Sequence, residues 1–323
     1  MSPGGIDRRA VLLGGLAAGL AGPGSAQVPG KNPRPEVPVV VPPEHPRVAG
    51  LVGQVSAARL RATVQGLTAF PTRWSPSPQF PAVEDWVAQA MGQAGQPVAR
   101  QGYTLQTGVT RHNIVAGNPL DPRGVVLVGA HFDSISERPG TDAPGANDNA
   151  SGMAALIEAQ RILAPLSFAH EIVFVGFSGE EQGLAGSTAC ANIAAREGWR
   201  VAMMLNLDML ARRRDTPDAP LFIEVDQGNA TPANDRAAEA YGALAARLAA
   251  EHTSLATAHT DIWDSDYMPF EAQGFPCIGF YDGGAEAPEY HSSSDGTDRL
   301  DWDRLEQAAR LVVATGATVA RLV

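Results

Sequence analysis

The sequence predicts an α/β protein, a three-layer α/β/α sandwich around a central, mostly parallel mixed sheet. Three observations lead there. From residue 48 onward, apolar runs of strand length alternate with amphipathic stretches of helix length. Several runs, among them 124–130 (GVVLVGA) and 170–177 (HEIVFVGF), are continuously apolar, as strands covered on both faces require. Chemically active polar residues follow directly on the ends of these runs, where open α/β sheets carry their ligands.

The elements follow in order. Residues 55–70 and 82–94 have helical spacing of apolar positions, and 111–117 (RHNIVAG) and 124–130 read as the first two strands. Residues 151–163 form an amphipathic helix, with Asn149 or Ser151 available as its cap. A strand at 170–177, a helix at 183–195 and a strand at 201–207 (VAMMLNL) come next. A helix at 237–251, a fifth strand at 275–281 (FPCIGFY) and a closing helix at 302–322 complete the series.

Ahead of this body stand two other segments. Residues 1–26 read as an export signal: Arg8-Arg9, an apolar run over 10–21, then the small residues Gly24-Ser25-Ala26. The arginine pair resembles a twin-arginine signal, while an ordinary Sec signal fits the same pattern. The apolar run is too short for a permanent membrane span, and no other segment reaches roughly 18 consecutive apolar residues. Residues 27–47 are Pro-rich and aperiodic, a linker or a strap along the surface, which leaves 48–323 as one domain. Export to the periplasm or the medium, without stable membrane insertion, is the expectation.

With 44% hydrophobic residues the chain can build a sizeable core, and its formal charge of −11 argues against nucleic acid as a partner. Cys190 and Cys277 are the only cysteines and lie in no metal-binding spacing. Both a single disulfide and two buried free thiols are compatible with them. Oligomeric state is not encoded in any pattern found here.

Five potential metal ligands leave the same sheet edge. His131 follows one strand, Glu181 another and Asp208 a third; Asp148 precedes a helix in the loop GANDNASG, and His291 follows the last strand. Imidazole nitrogen and carboxylate oxygen suit zinc, with cobalt or manganese as alternatives. Asp148, Glu181 and Asp208 carry three negative charges, so two divalent ions and one hydroxide would make a neutral centre. Asp133 stands two residues beyond His131 and, in extended geometry, on the same face, where it can accept the other ring N–H. Gly179 permits a turn that brings both Glu180 and Glu181 to the site, one to bind metal and the other to take a proton. Which does which is not readable from their order.

These residues stand in motifs: His131-x-Asp133, GANDNASG, then Gly-Glu-Glu-x-Gly-Leu-x-Gly-Ser from Gly179, Asn206-Leu207-Asp208-Met209, and Tyr290-His291 with Asp295 beyond. With Phe70-Pro71-Thr72-Arg73 and Arg111-His112-Asn113 upstream, the pattern resembles the co-catalytic zinc aminopeptidase family, secreted bacterial leucine aminopeptidases included. The resemblance covers the chain from about residue 55 to its end. It implies a zinc-exopeptidase-like fold and two zinc ions, with Asp148 bridging them. Glu181 and His291 would complete one ion's ligands, and His131 and Asp208 the other's. Glu180 would be the general base, delivering a metal-bridging water to the N-terminal peptide bond of a peptide with a free N-terminus. At Tyr267 the sequence departs from a Ser-Asp-His-x-Pro-Phe element, placing Tyr where His is common. Tyr267 is therefore a candidate to hydrogen-bond the substrate, or else a partly buried residue at a helix start.

Two rival readings share parts of the pattern. Metallo-carboxypeptidases and deacylases use the same ligand order but insert a lid domain before the last His, for which 208–291 leaves no room. A glutaminyl cyclase, an acyltransferase with one zinc, resembles the Glu-Glu region but lacks the full GANDNASG loop.

Overall fold

The computed structural model describes residues 41–323 apart from 214, 215, 217 and 218, and also leaves the Glu286 side chain undescribed. The expected signal at 1–26 and the linker up to residue 40 lie outside the described residues. All described residues belong to one compact unit.

An eight-stranded mixed sheet forms the middle layer, in the order β1-β2-β4-β3-β5-β8-β6-β7. Its centre is β3 (Val125–His131), buried at every position and parallel to both β4 (Glu171–Phe177) and β5 (Val201–Asp208). Next to β5 runs β8 (Cys277–Tyr281), also parallel. Four strands therefore point their carboxyl ends the same way, which is where β3, β4 and β5 hand over to His131, Glu180-Glu181 and Asp208. Antiparallel pairings frame this group: β2 (Thr110–Ala116) and β1 (Val98–Thr104) beyond β4, and β6 (Leu221–Val225) beyond β8. At the far edge β7 (Thr257–Asp261) pairs parallel with β6.

Helices cover both faces. On one lie α1 (Val48–Val52), α2 (Ala57–Thr68), α3 (Phe80–Gly92), α4 (Gly152–Leu163), α6 (Asp235–His252) and α8 (Trp302–Val319), around a large apolar core that includes Val126, Val128, Leu156 and Leu311. The other carries α5 (Ala185–Glu197) and α7 (Met268–Glu271), packed on Leu127, Val175, Phe177 and Phe270. Local chemistry sets the ends. Ser56 Oγ accepts the Arg59 N–H at the start of α2, Asp301 Oδ1 accepts the Arg304 N–H at the start of α8, and Gly198 closes α5 in the left-handed region.

Five strands were expected and eight are present among the described residues. The additions are β1, β6 and β7. β1 (VARQGYT) has no buried position and β7 (TAHTD) none either, so neither carries an apolar stripe to betray it; β6 is short. The last residues of the expected linker act as a strap: Pro42 is buried, and Glu44 Oε1 lies 2.8 Å from His252 Nε2. Among the described residues no helix is long and apolar enough to cross a membrane. Cys190 and Cys277 are both buried free thiols, so the expected alternatives resolve against a disulfide. Between Asp208 and His291 the described chain forms only β6, α6, β7, α7, β8 and a short helical turn, with no lid domain.

Candidate metal centre

The loop bearing Asp148 is sewn in place by its own small polar residues. Asn149 Nδ2 donates to the Leu207 carbonyl, and its Oδ1 accepts from the N–H groups of Gly152 and Met209. Asn147 Oδ1 accepts the Ala211 N–H, while Ser151 Oγ accepts the Leu210 N–H. From the other side, Asp295 accepts the backbone N–H of Asn147 at 3.0 Å and of Asp148 at 2.9 Å. The buried Arg73 guanidinium donates to the carbonyls of Phe132 and Gly145 at 2.8 Å each. A side chain at position 152 would press within 2.6 Å of the Leu207 carbonyl, so only glycine lets α4 begin this close to β5. The Asp148–Asn149 peptide bond is cis.

Held this way, Asp148 faces two histidines. Its Oδ1 lies 3.3 Å from His131 Nε2 and its Oδ2 3.3 Å from His291 Nε2. His131 Nε2 is also 3.3 Å from Asp208 Oδ1, and His291 Nε2 is 3.0 Å from Glu181 Oε2. Two ligand groups result, His131–Asp148–Asp208 and Asp148–Glu181–His291, with the donor atoms of each within 4.8 Å of one another and Asp148 common to both. Ser265 Oγ donates to Asp208 Oδ2 at 2.7 Å, which leaves Oδ1 turned to the site. Glu181 Oε1 is buried without any partner, as a carboxylate awaiting a cation would be. The donor set of imidazoles and carboxylates fits zinc.

The electrostatics point the same way. Burial opposes protonation of His131, yet the charges of Glu180 and Asp208 and the contact with Asp148 raise its pKa well above the ordinary value. Burial opposes it at His291 too, but hydrogen bonds to Asp148 and Glu181 lift that pKa to about 10. Asp148 would be raised by burial, but the two histidines hold it far below the carboxylate range. Protons here occupy the places that metal ions would take.

These shifts give a testable sign. Burial first, then neighbouring carboxylates, raises Glu181, Asp266 and Asp295 to about 7 each, although N–H donors and histidines oppose it. Between pH ~4 and ~7 the fold thus holds protons that the unfolded chain has released, and stability falls as pH rises through that window. His291 acts in the same direction between pH ~6.5 and ~10, and the raised His131 adds to it above its ordinary value. Asp148 acts oppositely, but only below pH ~4. Metal-free protein is expected to show a falling Tm from pH 5 to pH 9 by scanning fluorimetry. A flat or rising Tm would contradict this assignment of charges.

Gly179 sits at φ +70°, and a side chain there would collide with the Tyr103 hydroxyl. The turn separates the two acids that follow it: Glu181 reaches His291, and Glu180 lines the pocket beside His131, Asp148 and Asp208. Burial, then the charges of Glu181, Asp266 and Asp208, raises the Glu180 pKa well above its ordinary value despite His131.

The family is now legible from both sequence and site. Residues 113–316 match the model of peptidase family M28. The chain belongs to this family. A probable leucine aminopeptidase of Arthroderma otae is 28% identical over 82% of this M28 chain and 74% of its own length. Aminopeptidase YwaD of Bacillus subtilis is 29% identical over 66% of this chain, which spans only 45% of that protein. Among solved structures, the LapA aminopeptidase of Legionella pneumophila superposes with a TM-score of 0.74 at 20% identity, covering 87% of this chain and 77% of that one. A glutaminyl cyclase of Fimbriiglobus ruber shares the fold as well, with a TM-score of 0.67 at 19% identity over 82% and 95% of the two chains.

In this M28 peptidase all five expected ligands, His131, Asp148, Glu181, Asp208 and His291, meet in one place, with Glu180 beside them. Asp133 divides its contacts between His131 and the next loop. The nearest oxygen to His131 Nδ1 is the Asp133 carbonyl at 3.3 Å, with the carboxylate at 3.7 Å. The chain leaves β3 just after His131, so the Asp133 carboxylate faces the β4–α5 turn and accepts the N–H groups of Glu180 and Glu181 at 3.2 and 3.3 Å. It positions the acids at least as much as the imidazole.

Of the two expectations for Tyr267, the structure bears out the buried residue at a helix start. It is fully buried, and its hydroxyl accepts the Trp263 N–H and donates to the Trp263 carbonyl, both at 2.8 Å. Its polar end clamps a wall loop of the pocket and is not offered to a substrate. Tyr290, which sequence reasoning passed over, stands in its stead. Its ring stacks on His291 with centroids 3.7 Å apart, and it lines the pocket. Burial, then the charges of Asp148, Glu181, Asp208 and Glu180, pushes its pKa far up, which keeps the hydroxyl protonated. Its position next to a ligand histidine was the signal available. A further cluster, Glu44, Glu251 and His252, is cross-linked by Arg247, which lies 3.0 Å from Glu251 and 3.9 Å from Glu44. Arg247 already offsets part of its negative charge.

Proposed function

We propose that this protein is a zinc-dependent aminopeptidase that hydrolyses the N-terminal peptide bond of peptides at a two-ion centre. The observation that carries the proposal is Asp148, whose two oxygens each face a different histidine at 3.3 Å within a different ligand group. His131, Asp148 and Asp208 would hold one ion, and Asp148, Glu181 and His291 the other, with cobalt or manganese as alternative occupants. When bound, the ions supply Lewis-acid polarisation of the scissile carbonyl and lower the pKa of water.

The chain's own groups do the rest. Glu180, facing the pocket with a raised pKa, takes the proton of the attacking water and returns it to the departing amine. Tyr290 would donate a hydrogen bond to the oxyanion that develops on the carbonyl. Glu180, Glu224 and Asp264, pocket carboxylates outside the ligand set, favour approach of the substrate's ammonium terminus.

Aminoacyl-anilides with a free α-amine should be cleaved, N-acetylated analogues should not, and chelation should abolish turnover. Metal analysis should give about two equivalents per chain. One equivalent with cyclisation of glutaminyl peptides would favour the cyclase reading instead. Tyr290→Phe is expected to lower kcat by about 10²-fold with little change in KM, the pattern for loss of one oxyanion donor. Unaltered kcat would remove Tyr290 from the reaction.

Export through the segment 1–26 belongs to the same proposal and rests on its sequence pattern. N-terminal sequencing of the protein recovered outside the cytoplasm tests it; an intact Met1 terminus would refute cleavage after Ala26.

A further inference from the structure

The five ligands are not equally sheltered. Side-chain exposure is 2% for His131, 7% for Asp148, 3% for Glu181 and 13% for Asp208, but 40% for His291. His291 also lies off the sheet, in a turn where its own φ is +51°, a left-handed value that non-glycine residues rarely adopt. Something must hold that turn. On one side Asp295 does so, through the Asn147 and Asp148 N–H groups.

On the other side stands an exposed contact that no sequence pattern singled out. Ser293 donates its N–H to Glu137 Oε2 at 2.9 Å and its hydroxyl to Glu137 Oε1 at 2.6 Å. Arg138 Nη2 donates to the same hydroxyl at 2.7 Å. Glu137 and Arg138 belong to the loop that leaves β3 six residues after His131, and Ser293 lies two residues after His291. The clasp therefore joins the segments bearing the two histidines. Both Ser293 donors hold the Glu137 carboxyl low, at about 2, so the contact is made by the ionised acid at any ordinary pH.

We infer that Glu137 is a positioning residue: by engaging both donors of Ser293 it fixes the turn that presents His291, and so sets the metal affinity of the Asp148–Glu181–His291 position. The inference rests on the two-ion reading above. His131–Asp148–Asp208 is built on strand ends and the GANDNASG loop, so it does not depend on the clasp.

Zinc affinities of both positions in the purified holoenzyme are measured by competition with chelators, and cobalt substitution reports by absorption which position is filled. Glu137→Ala and Ser293→Ala are expected to weaken the His291 position by about tenfold, the low end for partners that orient a ligand, and to leave the other position unchanged. Ser293→Thr keeps both donors and should restore wild-type affinity. Unchanged affinity in Glu137→Ala, or equal weakening of both positions, overturns the inference. A Tm of the metal-free variants equal to wild type excludes general destabilisation as the source of a loss. If the wild-type chain holds fewer than two ions, the two-ion reading fails first and this inference with it.

Discussion

Glu180→Ala is expected to lower kcat by about 10²–10⁴-fold while leaving the metal content intact. The size follows from what the carboxylate does alone. It lines the pocket, whereas its neighbour Glu181 is committed to His291 at 3.0 Å. Burial and the surrounding acids raise the Glu180 pKa above its ordinary value, which strengthens it as a proton acceptor. The backbone that presents it is held independently of its side chain, through the N–H bond to Asp133. Truncation should therefore remove the base without displacing the centre. KM should change little, because the lost interaction is one made during proton transfer. Glu180→Gln keeps the shape and removes the basicity, so it should be nearly as inactive. Glu180 also stands in a possible donor group with His131 and Glu181. Loss of one zinc equivalent in Glu180→Gln would therefore reassign it from base to ligand.

The contrast between Glu180 and Glu181 marks how far the sequence reached. Five donors were readable because strands impose order: continuous apolar runs end at His131, Phe177 and Asp208, and whatever follows such ends lies on one edge of the sheet. The GANDNASG loop was readable as a motif, though not why each residue is there; that Asn147, Asn149 and Ser151 each tie the loop to the segment after β5 is a fact of tertiary geometry. Side-chain direction outside regular structure was not legible. Extended geometry put the Asp133 carboxylate on His131, where it lies at 3.7 Å, but not its further bonds to the N–H groups of Glu180 and Glu181 in the next loop. Tyr267 drew attention by departing from a motif, yet its hydroxyl is spent on Trp263, while Tyr290 owes its place to the left-handed turn at His291. Strands at the sheet edges escaped for the opposite reason: with little surface to bury, β1 and β7 carry no pattern.

Asp148→Ala is expected to abolish hydrolysis through a different route, by emptying both metal positions together. Asp148 is the residue common to the His131–Asp148–Asp208 and Asp148–Glu181–His291 groups, with one oxygen toward each histidine. Its removal leaves His131 facing Asp208 alone and His291 facing Glu181 alone, two donors each where a stable zinc position takes three or four. Asp208→Ala provides the comparison: it strips only the His131 side and should leave about one equivalent on Asp148, Glu181 and His291. The unpaired groups left behind also differ. Without Asp148 both imidazoles lose a carboxylate that raises their pKa, so the variant should bind fewer protons near neutrality than metal-free wild type. Inductively coupled plasma analysis of the two variants after equal zinc loading separates these outcomes. If Asp148→Ala retains one full equivalent, the aspartate serves a single ion and the shared-ligand architecture fails. If it retains two, the centre does not depend on the contacts at 3.3 Å that join its two halves.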